Sequence, residues 1–117
     1  MRRKFLTIKA HNDIRGIHRY SHDNFGAEQA AKYMDELRLK IEQLRLQPGI
    51  GIDRNEELGR NIHSCFVGSH TIFYVFDREN ITILGVLHQS SLPRNYVNRA
   101  AGGDIFPVPD AEESESQ

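Results

Sequence analysis

The hydrophobic period of this chain changes once, at Pro48-Gly49. Before that point apolar residues recur every three or four positions, and after it they recur every second position or run together. From Ala27 to Leu46 the residues Ala30, Met34, Leu37, Ile41 and Leu44 fall on one stripe, while Asp35, Glu36, Arg38, Lys40, Glu42 and Arg45 fill the other faces. That spacing predicts an amphipathic helix with its stripe on a core. Pro48 lacks an amide proton and Gly49 favours chain reversal, so the helix must end there. Upstream, Ile14, Ile17, Tyr20 or Ser21, and Phe25 keep near-helical spacing, with Asn12 or Asp13 as the expected cap. Gly16 weakens this first helix, and Gly26 stops it. Two helices joined at Asn24–Gly26 predict a helical hairpin.

Beyond a glycine-rich, charged loop at 49–59, the patterning is that of strands. Ile62, Ser64 and Phe66 alternate with His63, Cys65 and Val67, followed by Thr71–Phe76 and Ile81–Leu87, both rich in β-branched and aromatic residues. Gly68-Ser69 and Asp77–Asn80 supply the turns. A three-stranded antiparallel meander is expected, preceded by an N-terminal strand near Lys4–Ile8. The fold class is α+β, with the helical hairpin packed on a small antiparallel sheet. Thr71–Phe76 and Ile81–Leu87 are apolar on both faces, so a second cover is expected over the face the helices leave free.

Composition narrows the function. The 117 residues suit one domain, expected over 1–99, with an acidic, disordered tail over 100–117. Five of the 16 acids are Asp104, Asp110, Glu112, Glu113 and Glu115, leaving 11 against 15 Lys and Arg in the rest of the chain. A mildly basic body favours an acidic or anionic partner but lacks the dense basic stripe of a dedicated nucleic-acid binder. No apolar run reaches the roughly 20 residues of a membrane span, and no long apolar core follows Arg2-Arg3-Lys4, so a cytoplasmic protein is expected. Cys65 is the single cysteine, which rules out an internal disulfide and cysteine-based zinc spacing. His18 and His22 share a helical face but have no third ligand at a suitable spacing, and they read as solvated. His70 and His88 stand at strand edges, where they can meet in space. There is no phosphate loop, nucleophile elbow or paired-carboxylate motif, and no cofactor or metal is expected.

The strings themselves go further. Leu44-x-x-x-Pro48-x-x-Gly51, then Asp53 to Leu58, Gly68-Ser69-His70-Thr71-Ile72-Phe73-Tyr74, and Val86-Leu87-His88-Gln89-Ser90 together resemble the ParE toxins of bacterial toxin–antitoxin systems, within the RelE/ParE superfamily. The resemblance runs from about Phe5 to Val97. It implies the RelE-type fold, a ParD-type antitoxin whose C-terminal segment wraps the toxin, and DNA gyrase as a target inhibited by binding rather than by chemistry. Within the same superfamily the alternative is a ribosome-dependent mRNA endonuclease. Such enzymes place arginines on the central strand and just after the last one, whereas here those stretches read Ser69-His70-Thr71-Ile72 and His88-Gln89-Ser90-Ser91. A third reading is a non-toxic module that only anchors its antitoxin on an operator. Candidate target contacts are His88, Gln89, Ser90, Arg94, Asn95 and Tyr96, polar and aromatic groups after the last strand. Candidate antitoxin contacts are Arg15, Arg19 and Arg60 for acidic residues, and Phe73, Val75, Leu84 and Val86 as an exposed sheet face.

Overall fold

A computed structural model describes residues 2–54 and 61–89 of the chain. In chain order it contains β1 (Arg3–Leu6), α1 (Ile8–Phe25), α2 (Ala27–Leu46), a 3-10 turn (Pro48–Ile50), β2 (Ile52–Asp53), β3 (His63–Val67), β4 (His70–Phe76) and β5 (Asn80–His88). The sheet order is β1-β5-β4-β3-β2. The meander β3-β4-β5 is antiparallel as expected, and β1 lies parallel to β5, with Arg3 opposite Asn80 and Leu6 opposite Ile83. The sheet is therefore five-stranded and mixed, and the stretch expected to be only loop contributes β2, paired with β3 through Ile52–Ser64 and Asp53–His63. Residues 55–60 and the predicted tail lie outside the described residues.

α1 starts earlier than its sequence suggests. Its cap is Thr7, inside the strand-like run Lys4–Ile8, and not Asn12 or Asp13. Thr7 Oγ1 accepts from the Ala10 amide at 2.9 Å and donates to the Leu84 carbonyl at 2.9 Å, so one buried hydroxyl starts the helix and ties it to β5. Asp13, inside the helix, reaches β5 instead: its Oδ2 accepts from the Val86 amide at 2.9 Å, and Lys9 Nζ pairs with Oδ1 at 3.0 Å. Gly26, at φ 91°, donates to the His22 carbonyl and accepts from the Ala30 amide, ending one helix and opening the next with no intervening loop.

The stripe on α2 faces the sheet, with Ala30, Leu37, Ile41 and Leu44 buried and Met34 packed at the margin of the core. Against it stand Val67, Ile72, Tyr74, Ile81, Ile83 and Val86. Alternation then puts Thr71, Phe73 and Thr82 on the far face, where they too are buried. β5 carries a bulge. Phe73 pairs with Gly85 and Tyr74 with Ile83, which leaves Leu84 as the additional residue. Gly85 thus marks the bulge site in the last strand, as glycine inside a strand often does.

Candidate functional site

The helix-facing end of the meander opens into a cavity of about 930 Å³. Its walls come from α1 (Asp13, Gly16, Ile17, Tyr20), the start of α2 (Gln29, Tyr33) and the facing ends of β4 and β5 (His70, Val86, His88). The register places His70 directly opposite His88, and their rings meet edge to face with centroids 5.2 Å apart. The proximity left open by the sequence is thus realised.

Tyr33 organises this end. Its hydroxyl donates to the Val67 carbonyl at 3.0 Å, accepts from the Ser69 amide at 3.3 Å, and lies 2.7 Å from His70 Nδ1. A phenol has one proton to give, and the Val67 carbonyl can only accept, so Tyr33 spends its proton there. The arrangement that satisfies all three contacts has His70 Nδ1 donating to the Tyr33 hydroxyl. This assigns the Nδ1–H tautomer and leaves Nε2 with a bare lone pair. Burial, and secondarily the neighbouring His88, hold the His70 pKa below the usual imidazole value, so the neutral ring is favoured. Gly68 makes the arrangement sterically possible. It turns the β3–β4 hairpin at φ 58°, and a Cβ there would lie 2.5 Å from both Cε1 and the hydroxyl oxygen of Tyr33. The Gly68-Ser69-His70 string is, physically, a cradle for one hydroxyl on α2.

Among the described residues, the predicted contacts fall at separate places. His88 and Gln89 are exposed at the end of β5, and Gln89 folds back through its amide to the Ser69 carbonyl at 2.8 Å. Arg15 and Arg19 are exposed on α1. Ser90, Arg94, Asn95, Tyr96 and Arg60 lie outside the described residues. The expected exposed face of Phe73, Val75, Leu84 and Val86 is corrected by the structure. Val86 belongs to the helix-side core, Phe73 and Leu84 are buried, and only Val75 is partly open. The bulge at Leu84 breaks the alternation that would have aligned them. Sequence reasoning missed Tyr33, Asp13 and Arg54. Tyr33 is only partly buried on its helix, and no local pattern announces that it will reach β4. Arg54 borders a second recess of about 280 Å³ together with Phe66, Thr71, Leu87 and His88. His18 and His22 stand on an exposed face of α1, 6.4 Å apart by ring centroid. Among the described residues no three His, Cys, Asp or Glu side chains converge as a metal site, and no helix is long and apolar enough to cross a membrane.

A helical hairpin laid on one face of a small mixed sheet, with an aromatic and imidazole-lined cavity at one end, defines a compact α+β class. A chain from a structure described as a chromosomal ParDE TA system from P. aeruginosa shares this fold, with a TM-score of 0.64 and 20% identity over 75% of this chain and 95% of that one. The family model described as ParE toxin of type II toxin-antitoxin system, parDE, matches residues 5–93. Toxin ParE1 of Caulobacter vibrioides is 37% identical over 92 residues, covering 79% of this chain and 94% of the relative. Toxin ParE1 of Mycobacterium tuberculosis is 32% identical over 88 residues, covering 74% and 89%. The chain belongs to the ParE toxin family of type II toxin–antitoxin systems.

Proposed function

We propose that this chain is the toxin of a cytoplasmic ParDE-type pair, neutralised by a ParD-type antitoxin, and that it poisons DNA gyrase by binding rather than by cutting RNA. Family membership supports the toxin assignment. The observation that favours binding over catalysis is the main cavity: among the described residues its lining contains two imidazoles, a carboxylate and aromatic rings, and no Lys or Arg. Cleaving an RNA phosphodiester develops negative charge on the phosphoryl oxygens and needs preorganised cations or donors at that point. A surface of aromatic and polar groups whose one carboxylate, Asp13, is paired with Lys9 suits a protein contact better.

One arrangement favours the ribonuclease alternative. Arg54 and His88 border the same small recess, although they are distant in sequence, so a cation stands near an imidazole on that side. Incubating purified gyrase and relaxed plasmid with this protein, with and without a ParD-type antitoxin and beside a translation reaction, separates the two. Lost supercoiling with trapped cleaved plasmid, relieved by antitoxin, is expected. Intact supercoiling with mRNA cut on ribosomes would move the function to Arg54 and His88. Inactivity in both reactions with antitoxin still bound would leave a non-toxic binding module.

A further inference from the structure

Gly16 lies in the middle of α1, in helical conformation, where glycine weakens a helix and gives nothing in return. Neither usual justification applies. Its φ is not positive, and a Cβ built there meets no atom within 4 Å. The residue therefore stands over open space, and that space is the main cavity, whose wall it forms. The same cavity contains His70, whose Nδ1 is committed to Tyr33 and whose Nε2 has a lone pair with no hydrogen bond among the described residues. At its margin Tyr20 and Phe25, 62% and 63% exposed, form an edge-to-face pair that no other described residue covers. Among the described residues, a helix rule broken without local cause, an acceptor without a donor and an aromatic pair without a cover coincide at one place.

We propose that this cavity receives one side chain of the antitoxin, an apolar or aromatic body bearing an N–H or O–H donor, with His70 Nε2 as its acceptor and Gly16 leaving room for it against α1. Charge favours the same partner. Arg19, three residues after Gly16 and seven after Asn12, is exposed beside the cavity wall, and Arg15 is exposed next to Gly16. An antitoxin segment with acidic residues flanking an apolar anchor complements this surface. Tyr33 acts as the positioning residue: it fixes the tautomer that presents an acceptor rather than a donor.

This inference rests on the toxin–antitoxin reading, and the test separates the two. Binding of a purified ParD-type antitoxin to the full-length chain is measured for wild type, Gly16→Leu, His70→Phe and Tyr33→Phe. Long-range 1H–15N correlation of the His70 ring is recorded in free and bound protein. Gly16→Leu fills the cavity while improving the helix, so its fold is retained. Expected are a loss of about tenfold or more in affinity for Gly16→Leu and His70→Phe, a smaller loss for Tyr33→Phe, and a bare Nε2 signal that shifts on binding. Affinities of Gly16→Leu and His70→Phe close to wild type, or a free protein protonated at Nε2, would overturn the docking proposal and leave the antitoxin reading standing. Failure of wild type to bind any ParD-type antitoxin would overturn both.

Discussion

Tyr74 and His70 lie on the same strand, on the same face, four residues apart, and each is an aromatic ring with a polar edge. They differ in their surroundings. Tyr74 is fully buried, and its hydroxyl donates to the Pro48 carbonyl at 2.6 Å. Burial pushes its pKa up to about 12. The turn after α2 closes over it at Gly51, where an added Cβ would collide with the phenol oxygen and lie 2.7 Å from the Ser64 carbonyl. His70 has Nδ1 bonded to Tyr33, and its ring is part of the wall of a cavity. Two polar aromatics on one strand thus serve different ends. The closed end completes its hydrogen bonds within the chain and contributes to stability, while at the open end the described residues leave one acceptor unmatched, which suits recognition.

The closed end should be the easier to break. Gly51→Ala forces backbone or Tyr74 to move in a fully packed region, and a loss of about 3 kcal/mol is expected in urea unfolding. A cost under about 0.5 kcal/mol would mean that the turn is not wedged against Tyr74. Tyr74→Phe keeps the ring but leaves the buried Pro48 carbonyl without its donor, with an expected loss of about 1–2 kcal/mol. The raised pKa gives a matching pH dependence. The neutral phenol is favoured by folding, so its contribution is complete below about pH 10 and declines as pH rises toward 12. Tyr74→Phe should remove that alkaline decline.

At the open end the stability effects are smaller and the first has the opposite sign. Gly16→Ala places a methyl where nothing stands and should stabilise the protein by about 0.5–1 kcal/mol, visible as a raised Tm. A destabilised variant would show that α1 is strained there. The smallest effect is the acid limb from His70. Its folded pKa is depressed, so its contribution is complete above the unfolded imidazole value near 6.5 and declines as pH falls through the lower folded value. The ring is partly buried and still screened by water, so a shallow slope is expected, and His70→Phe should flatten it. Asp77 titrates in a lower window. The Asn80 and Glu79 amides hold its carboxyl below the usual carboxylate value, so its loss of stability belongs to a more acidic range and does not obscure the His70 limb.

Much of this fold was legible in the sequence. Because a helix exposes one stripe every 3.6 residues, Ala30, Leu37, Ile41 and Leu44 announced both α2 and the face it buries. Pro48 and Gly26 ended the helices where backbone chemistry requires, and Gly68-Ser69 and Asp77–Asn80 turned the meander. These are local facts, decided within a few residues of each other, and the family strings ride on them. The start of α1 is not legible locally: Thr7 is β-branched and sits within the strand-like run Lys4–Ile8, and its hydroxyl is held by the Leu84 carbonyl, 77 residues away in the chain.

Only the tertiary structure decided the rest. The pairing of β1 with β5 spans the whole described chain, and nothing in Arg3–Leu6 names its neighbour. The bulge at Leu84 shifts register by one residue, which sends Val86 inward and dissolves the apolar face that strict alternation implied. The state of His70 was out of reach for the same reason. Its tautomer is set by a hydroxyl on α2, whose single proton is claimed by the Val67 carbonyl on β3. Periodicity reports which side of an element is apolar. Where a proton resides depends on which donors and acceptors converge, and that convergence exists only once the chain has folded.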